Sequence, residues 1–150
     1  LQGLHTLTLD DKGRIAMPIR YRNLFKNDDK HSLIITLDLA GLCLWLYPLE
    51  QWEKVATKIQ SLPSLNSEVM RLQRLLVGHA IEIEIDSQGR LLIPTVLREC
   101  AKLNKNLILM GQGKRFELWD AETLEKQRQT WLVGAGQLSG LANEIQEIVL

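Results

Sequence analysis

Two copies of one short sequence unit lie in the chain, and this repeat limits the folds that the chain can adopt. The segment LDDKGRIAMPIRYR begins at Leu9, and IDSQGRLLIPTVLR begins at Ile85, 76 positions further along. Hydrophobic positions agree between the segments, and identical residues occur at five pairs of positions: Asp10/Asp86, Gly13/Gly89, Arg14/Arg90, Pro18/Pro94 and Arg22/Arg98. An ordered series of matches at a fixed spacing indicates a duplicated structural unit.

Each copy predicts a strand, a tight turn and a second, shorter strand. Residues 81–85 read IEIEI, an alternation that places Ile81, Ile83 and Ile85 on one face of a strand, and Leu7 and Leu9 follow the same pattern in the first copy. An Asp-x-x-Gly turn comes next, because the aspartate side chain can accept backbone hydrogen bonds and the glycine tolerates a positive φ. The short strand RIAM or RLLI then follows.

Short helices and a pair of further strands complete each copy. Pro18 and Pro94 are each predicted at the first position of a helix, where the missing N–H costs no hydrogen bond. The predicted elements are helices at 18–25 and 94–101, strands at 33–37, 42–47, 107–110 and 115–119, and a closing helix in each copy. Apolar residues at helical spacing mark the closing helices: Leu49, Trp52, Ala56 and Ile59 in the first, and Leu124 and Trp131 after the N-cap candidate Asp120 in the second.

A helical linker joins the copies and a helical tail follows them. Asn66 or Ser67 can cap a linker helix whose apolar face comprises Val69, Leu72, Leu75 and Leu76. The tail carries a second apolar stripe at Leu138, Leu141, Ile145 and Ile148. The predicted division is a first repeat at 3–50, a helical linker at 51–78, a second repeat at 79–122 and a C-terminal helical tail at 123–150.

Neither copy is large enough to bury a hydrophobic core by itself. Two copies in one chain can instead close a shared β-barrel with helices around it. The sequence therefore predicts an α+β fold in which the duplicated units, each of β-strands and short helices, are related by a pseudo-twofold axis.

The composition is that of a globular protein, with 45% hydrophobic and 24% charged residues, and it predicts neither a membrane span nor a signal peptide. Cys43 and Cys100 lack metal-ligand spacing and are predicted to be buried thiols in a reducing cytoplasm rather than a disulfide. The 18 basic and 18 acidic residues cancel, which argues against non-specific coating of nucleic acid. Residues 12–26 nevertheless contain five basic side chains and no acidic one.

The chain resembles the AbrB-like swapped-hairpin regulators at its two motifs, DDKGR with Pro18 and DSQGR with Pro94. The resemblance narrows to the MraZ family, whose members carry two such units, through the segments RLQRLLVGHA at 71–80 and GQGKRFELWD at 111–120. It runs in order from about residue 3 to residue 133. The family usually opens with Met-Phe-Arg-Gly, whereas Leu1 and Gln2 precede Gly3 here.

This resemblance implies a swapped-hairpin barrel and a transcriptional regulator. It implies binding to repeated G-containing boxes of double-stranded DNA upstream of the division and cell-wall gene cluster, including the promoter of the protein's own gene. It also implies a homo-oligomeric ring without a cofactor, located in the cytoplasm at the nucleoid.

Lys12, Arg14 and Arg90 are the candidate DNA-binding residues. A tight turn projects its side chains away from the sheet, so the following arginine can reach phosphates or pair with guanine O6 and N7 in the major groove. Lys12 can add a point charge beside Arg14. The alternative is that both arginines are solvated or form ion pairs with Asp10 and Asp86.

The arginines on the short helices are expected to differ in role from the turn arginines. For Arg20, Arg22 and Arg98, a structural role in salt bridges is at least as well supported as contact with DNA.

No arrangement of residues indicates catalysis or a metal site. Asp10 and Asp86 fit backbone capping better than acid–base chemistry. The segment GQGK at 111–114 lacks the GxxxxGK[ST] spacing of a phosphate loop and predicts a hairpin turn. The histidines share no ligand spacing with the cysteines, and the four tryptophans are predicted to lie in the core.

A protein–protein interaction module, antitoxin-like or a scaffold, is the alternative function. The acidic Glu82 and Glu84 and the apolar stripe of the tail would suit such a role. For assembly into a ring, the stripes at 72–76 and 138–148 are the candidate surfaces, and we favour the first because the tail lies beyond the repeat.

Overall fold

The computed structural model describes residues 1–27 and 29–134 together with residues 144 and 147. Its strands are β1 (Gln2–Thr8), β2 (Arg14–Ala16), β3 (Lys26–Asn27), β4 (Lys30–Leu37), β5 (Leu44–Pro48), β6 (Ile81–Glu84), β7 (Arg90–Leu92), β8 (Asn106–Gln112) and β9 (Phe116–Asp120). Its α-helices are α1 (Ile19–Arg22), α2 (Leu49–Gln60), α3 (Ser67–Leu72), α4 (Thr95–Cys100) and α5 (Ala121–Val133). The predicted tail stripe at 138–148 lies outside the residues described.

The two repeats exchange their first strands. β1 of the first repeat pairs antiparallel with β8 of the second, and β6 of the second pairs antiparallel with β4 of the first. The hairpins β4–β5 and β8–β9 form within each repeat and join each other through β5 and β9. This crossed pairing confirms the predicted duplicated, swapped-hairpin α+β fold.

The register of the paired strands shows where the pseudo-twofold axis lies. In the separate two-stranded ribbon formed by β2 and β7, Ile15 lies opposite Leu91, its equivalent in the other repeat. Between the hairpins, Trp45 lies opposite Glu117, and the flanking pairs Leu44↔Leu118 and Leu46↔Phe116 are arranged symmetrically around it. The axis therefore passes through the ribbon on one side of the barrel and through the β5–β9 junction on the other.

Alternate strand residues fill the interior of the barrel. Ile15, Leu91 and Leu46 are buried there together with Leu109, and Phe116 packs against Phe25 with ring centroids 6.2 Å apart. Both repeats contribute to this one cluster, as expected for units that cannot bury a core separately.

A second apolar layer lies outside the sheet, beneath the helices. It includes Ile34, Tyr47 and Leu124, with Trp52 of α2 packed against it. Because strands β4, β5 and β9 are covered on both faces, their sequences read as nearly continuous buried runs rather than as alternating ones. Trp131 differs from the prediction: it is 46% exposed, and its ring makes an edge contact with Trp119 at a centroid distance of 5.7 Å.

Glu117 is a buried carboxylate at the β5–β9 junction. It accepts hydrogen bonds from the indole Nε1 of Trp45 (3.0 Å) and of Trp119 (2.9 Å). The Arg115 guanidinium stacks 3.7 Å above the Trp45 ring. These contacts compensate for the loss of water around the charged group, so the residues serve the structure of the junction.

The linker between the repeats is ordered and packed. Asn66 caps α3 by accepting hydrogen bonds from the backbone N–H groups of Glu68 and Val69, as predicted. A π-helical turn at Gln73–Val77 follows, and Leu76 is buried in the outer apolar layer. The Thr36 hydroxyl of β4 donates to the Leu76 carbonyl at 2.6 Å, which fixes the linker against the sheet.

Other local expectations are corrected by the structure. Pro18 and Pro94 are the N-cap residues of α1 and α4, one position before the first helical residue, whereas each was predicted to be that first residue. The helix α1 contains four residues and ends in a 3-10 turn, so the helix predicted at 18–25 is only partly α-helical. Cys43 is buried as predicted, and burial raises the pKa of its thiol, whereas Cys100 is exposed at the end of α4.

Candidate nucleic-acid interface

The β2–β7 ribbon presents one face to the barrel and the other to solvent. Ile15 and Leu91 point inward and are almost fully buried. Because side chains alternate along a strand, their neighbours Arg14, Ala16, Arg90 and Leu92 share the opposite face, which we call the outer ribbon face. Both arginines that the sequence singled out therefore lie on one side of the molecule.

Arg14 is held at the end of the first turn (residues 10–14). The Asp10 carboxylate accepts hydrogen bonds from the backbone N–H groups of Lys12 (2.9 Å) and Arg14 (2.8 Å). Gly13 has a φ of 82°, the left-handed conformation that the turn requires. The Arg14 Nε donates to Asp10 Oδ2 at 3.0 Å. Hydrogen bonding from the Arg14 backbone, opposed by some desolvation, lowers the pKa of Asp10.

The second turn (residues 86–90) has the same construction. Asp86 accepts hydrogen bonds from the backbone N–H groups of Gln88 (2.8 Å) and Arg90 (2.9 Å), and Gly89 has a φ of 80°. Arg90 Nε lies 3.6 Å from Asp86 Oδ2, a looser ion pair than that of Arg14. The backbone hydrogen bond from Arg90 is the main cause of the lowered pKa of Asp86, and Arg14 contributes through its charge.

Ion pairing of the two arginines with Asp10 and Asp86, the alternative to DNA contact in the sequence analysis, is present in the structure. Each aspartate engages the Nε of its arginine. Within the residues that the structure describes, neither arginine uses its terminal Nη groups in a hydrogen bond. Arg14 Nε donates to Asp10, whereas Arg90 Nε is buried without a hydrogen-bond partner. The side chains are 28% and 35% exposed, so the aspartate orients each guanidinium without covering the end that could meet a ligand.

Further basic residues lie at both ends of the ribbon. Lys12 is exposed in the first turn, where the second turn has Gln88. Arg20 lies on α1, which follows β2 at the other end of the ribbon, where Ala16 pairs with Arg90. Its Nη2 is 2.9 Å from His5 Nε2, and its guanidinium lies over the Tyr21 ring at 4.7 Å. Each turn arginine therefore has a further basic residue at its own end of the ribbon.

Arg22 and Arg98 have a role that sequence reasoning did not identify. In the described part of the chain neither forms a salt bridge. Instead, Arg22 Nε donates to the Met17 carbonyl (2.9 Å) and Arg98 Nε donates to the Ile93 carbonyl (3.0 Å). The sequence indicated that these positions matter, because Arg22 and Arg98 occupy equivalent positions in the two repeats. It did not indicate which groups their side chains contact.

Glu82, Glu84 and the GQGK segment lie on elements other than the β2–β7 ribbon. Glu82 and Glu84 are exposed on β6, opposite Ile34 and Ser32 of β4. The segment GQGK spans the β8–β9 hairpin turn, as predicted, with Gly113 at a φ of 83°. Among the residues described, no group of three or more His, Cys, Asp or Glu side chains could hold a metal ion. Every helix in those same ranges is too short or too polar to span a bilayer.

A duplicated swapped-hairpin barrel with paired turn arginines is the architecture of a class of bacterial regulators that the motifs resemble. A family model described as "MraZ protein, putative antitoxin-like" matches the chain at residues 1–75 and again at 76–132. Proteins named "Transcriptional regulator MraZ" from Legionella pneumophila (strain Corby) and Pseudomonas aeruginosa (strain LESB58) are each 43% identical, with 99% of both chains covered. One from Pseudomonas fluorescens (strain SBW25) is 42% identical with the same coverage.

The chain belongs to the MraZ family, and its curated relatives are named as transcriptional regulators rather than as enzymes.

Proposed function

We propose that this protein regulates transcription by binding double-stranded DNA sequence-specifically through the outer ribbon face. The observation that carries the proposal is that Arg14 and Arg90, from two repeats, share that exposed face. The major groove of B-DNA admits a two-stranded β-ribbon, and arginine pairs there with O6 and N7 of guanine. The Asp10 hydrogen bond and the looser Asp86 ion pair both involve Nε, so each guanidinium can offer its terminal nitrogens to the base edge.

The neutral net charge is compatible with this role, because only one face needs to be basic. Lys12 lies in the first turn and Arg20 at the second-turn end of the ribbon. Phosphate contacts from such residues position a protein on the duplex without specifying its sequence. Sequence discrimination then falls to Arg14 and Arg90, since a bidentate arginine–guanine pair contributes about 1–3 kcal/mol against a wrong base.

The proposed target and assembly are those that the resemblance to the family implies. Repeated boxes upstream of the division and cell-wall gene cluster, including the protein's own promoter, are the proposed operators, and the nucleoid in the cytoplasm is the proposed location. A homo-oligomeric ring would meet several boxes at once, which raises the overall affinity without new contacts. No catalytic role and no cofactor are proposed.

The predicted subunit surface at 72–76 needs revision. Leu76 is buried within the chain, and Leu72 is packed against the same outer layer. Exposed apolar residues around the linker, including Leu39, Leu62 and Leu65, remain available for contact with another subunit. We therefore place the proposed subunit contact around these residues instead of on the Leu76 face.

Replacement of Arg14 tests the proposal most directly. Arg14→Ala should weaken binding to upstream DNA by about 1–3 kcal/mol per affected site, because it removes a guanidinium at the base edge. The measurement is fluorescence anisotropy at fixed salt with the upstream region and with a scrambled duplex. Arg128→Ala, which removes an exposed arginine on α5, is the matched control and should bind like the parent.

Arg90→Ala should also lose affinity, but less, since Gln88 takes the place of Lys12 in the second turn. Parental affinity of Arg14→Ala, at an unchanged melting temperature, would remove Arg14 from the interface. Parental affinity of Arg90→Ala would make the second turn purely structural.

Binding to another protein is the second candidate function. The antitoxin-like description of the family and the exposed Glu82 and Glu84 favour it. The same anisotropy experiment separates the two functions, because a protein-binding module would bind the upstream and scrambled duplexes equally or not at all.

A further inference from the structure

Each turn of the interface is contacted by an arginine from the other repeat. The guanidinium of Arg22, in the first repeat, lies directly over Gly89 of the second turn. The guanidinium of Arg98, in the second repeat, lies over Gly13 of the first turn. The pseudo-twofold axis therefore relates two crossed contacts rather than two contacts within a repeat.

Hydrogen bonds make these contacts part of a closed local network. Arg22 Nε donates to the Met17 carbonyl at 2.9 Å, and the Met17 N–H donates to the Gly89 carbonyl at 2.9 Å. The chain of contacts thus runs from the α1 helix of the first repeat to the second turn. It fixes the peptide that immediately precedes Arg90.

The other repeat reproduces this network. Arg98 Nε donates to the Ile93 carbonyl at 3.0 Å, and the Ile93 N–H donates to the Gly13 carbonyl at 2.9 Å. Arg98 Nη2 also donates to the Thr95 hydroxyl at 2.9 Å, which fixes the plane of the guanidinium. This network fixes the peptide between Gly13 and Arg14.

The glycines leave room for the flat guanidinium groups. A Cβ atom at Gly13 would lie 2.5 to 2.9 Å from three atoms of the Arg98 guanidinium, and one at Gly89 would collide with Arg22. Gly41 and Gly113 also have positive φ values, but a Cβ atom there would have no neighbour within 4 Å. Close approach of the arginine, in addition to turn geometry, therefore requires glycine at the two turns.

We propose that Arg22 and Arg98 are positioning residues that hold the DNA-contacting turn of the opposite repeat. Arg98 sets the position of Arg14, and Arg22 sets the position of Arg90. This inference rests on the proposed function. Under this proposal, two arginines that do not touch DNA contribute to the specificity of binding. Each contact with DNA then depends on residues from both repeats.

Arginine suits this role better than lysine. A planar guanidinium can donate from Nε while its face lies flat against a peptide, whereas a lysine ammonium is a hydrated point charge without such a face. Arg→Lys replacements therefore keep the charge near the DNA but lose the positioning contact.

The experiment is a crossed set of double-mutant cycles on the full chain, read by anisotropy with upstream DNA. Arg98→Lys should weaken binding about fivefold in the parent and in the Arg90→Ala background, but less than about twofold in the Arg14→Ala background. Arg22→Lys should show the reverse dependence on background. A contribution only to overall stability, or a direct phosphate contact, would give equal losses in both backgrounds, and equal losses would overturn the proposal.

Hydrogen–deuterium exchange without DNA provides a readout independent of the proposed function. Arg98→Lys should accelerate exchange in residues 10–14 and leave residues 86–90 unchanged, and Arg22→Lys should do the opposite. Arg128→Lys is the control and should change neither segment. Faster exchange in both segments, or in neither, would contradict the positioning role even if the protein binds DNA. If the exchange is crossed but Arg14→Ala and Arg90→Ala bind DNA normally, the proposed function has failed, and with it the role in specificity.

Discussion

At the scale of single residues, the identical positions of the two repeats separate into two kinds of role. Asp10 and Gly13 build the first turn locally, and this could be predicted from the Asp-x-x-Gly sequence because their partners are two to four residues away. Arg98 matches equally well between the repeats, but its contact with Gly13 joins one repeat to the other. A sequence pattern identifies a local hydrogen bond far more readily than a contact between distant segments.

The turn glycines should be costly to replace. Gly89→Ala should lower the free energy of unfolding by about 1–3 kcal/mol, because a positive φ strains the alanine and its Cβ displaces Arg22. Gly113→Ala is the matched control, since it shares the positive φ but meets no neighbour. Urea unfolding of both variants measures the difference. Equal losses would mean that the Arg22 contact adds nothing to the stability of the turn.

At the scale of elements, prolines and apolar alternation predicted the order of strands and helices but not their ends. Pro18 and Pro94 mark the starts of α1 and α4, yet each lies just outside its helix as the N-cap residue. Strand β4 extends from Lys30 to Leu37, beyond the predicted 33–37, because pairing with β6 and β3 continues there. Tertiary hydrogen bonds, rather than side-chain pattern, set these boundaries.

Acidic pH should destabilise the two turns. The pKa values of Asp10 and Asp86 are lowered from the ordinary 3.8, so the folded state favours their charged forms. Their contribution to stability is therefore complete above that value and is lost as pH falls through the lower folded-state pKa. The double variant Asp10→Asn/Asp86→Asn should be less stable than the parent at neutral pH, and the difference should narrow below about pH 4.

Urea unfolding at several pH values measures that difference. Asp11→Asn is the control, because its carboxylate accepts no hydrogen bond in the described ranges, and its stability should follow the parent throughout. A difference between the double variant and the parent that stays constant with pH would exclude the two carboxylates as the source.

At the scale of the whole molecule, the exchange of β1 and β6 makes the repeats interdependent. Neither the barrel interior nor the ribbon is complete with one repeat, since Ile15 packs with Leu91 and β2 pairs with β7 of the other repeat. The domain division at 3–50 and 79–122 stays a prediction, and it describes the sequence repeat rather than two independent folding units.

Avidity should distinguish the ring from a monomer. If subunits join, DNA with several tandem boxes should bind more tightly than DNA with one box, and the logarithm of its affinity should fall more steeply with the logarithm of salt concentration. Light scattering at several protein concentrations gives the oligomeric state. A persistent monomer that binds one box as tightly as several would contradict both the ring and the avidity.

The duplication, the two turns with their arginines, the capped linker helix and the family could all be read from the amino-acid sequence. These depend on local hydrogen bonds and on matches between positions, which a single sequence displays. The burial of Leu76, the half-exposed position of Trp131 and the contacts of Arg22 and Arg98 with the opposite turns became visible only in the folded chain. Burial and contacts between the repeats depend on which strands pair. The exchange of β1 and β6 brings together residues that are far apart in the chain.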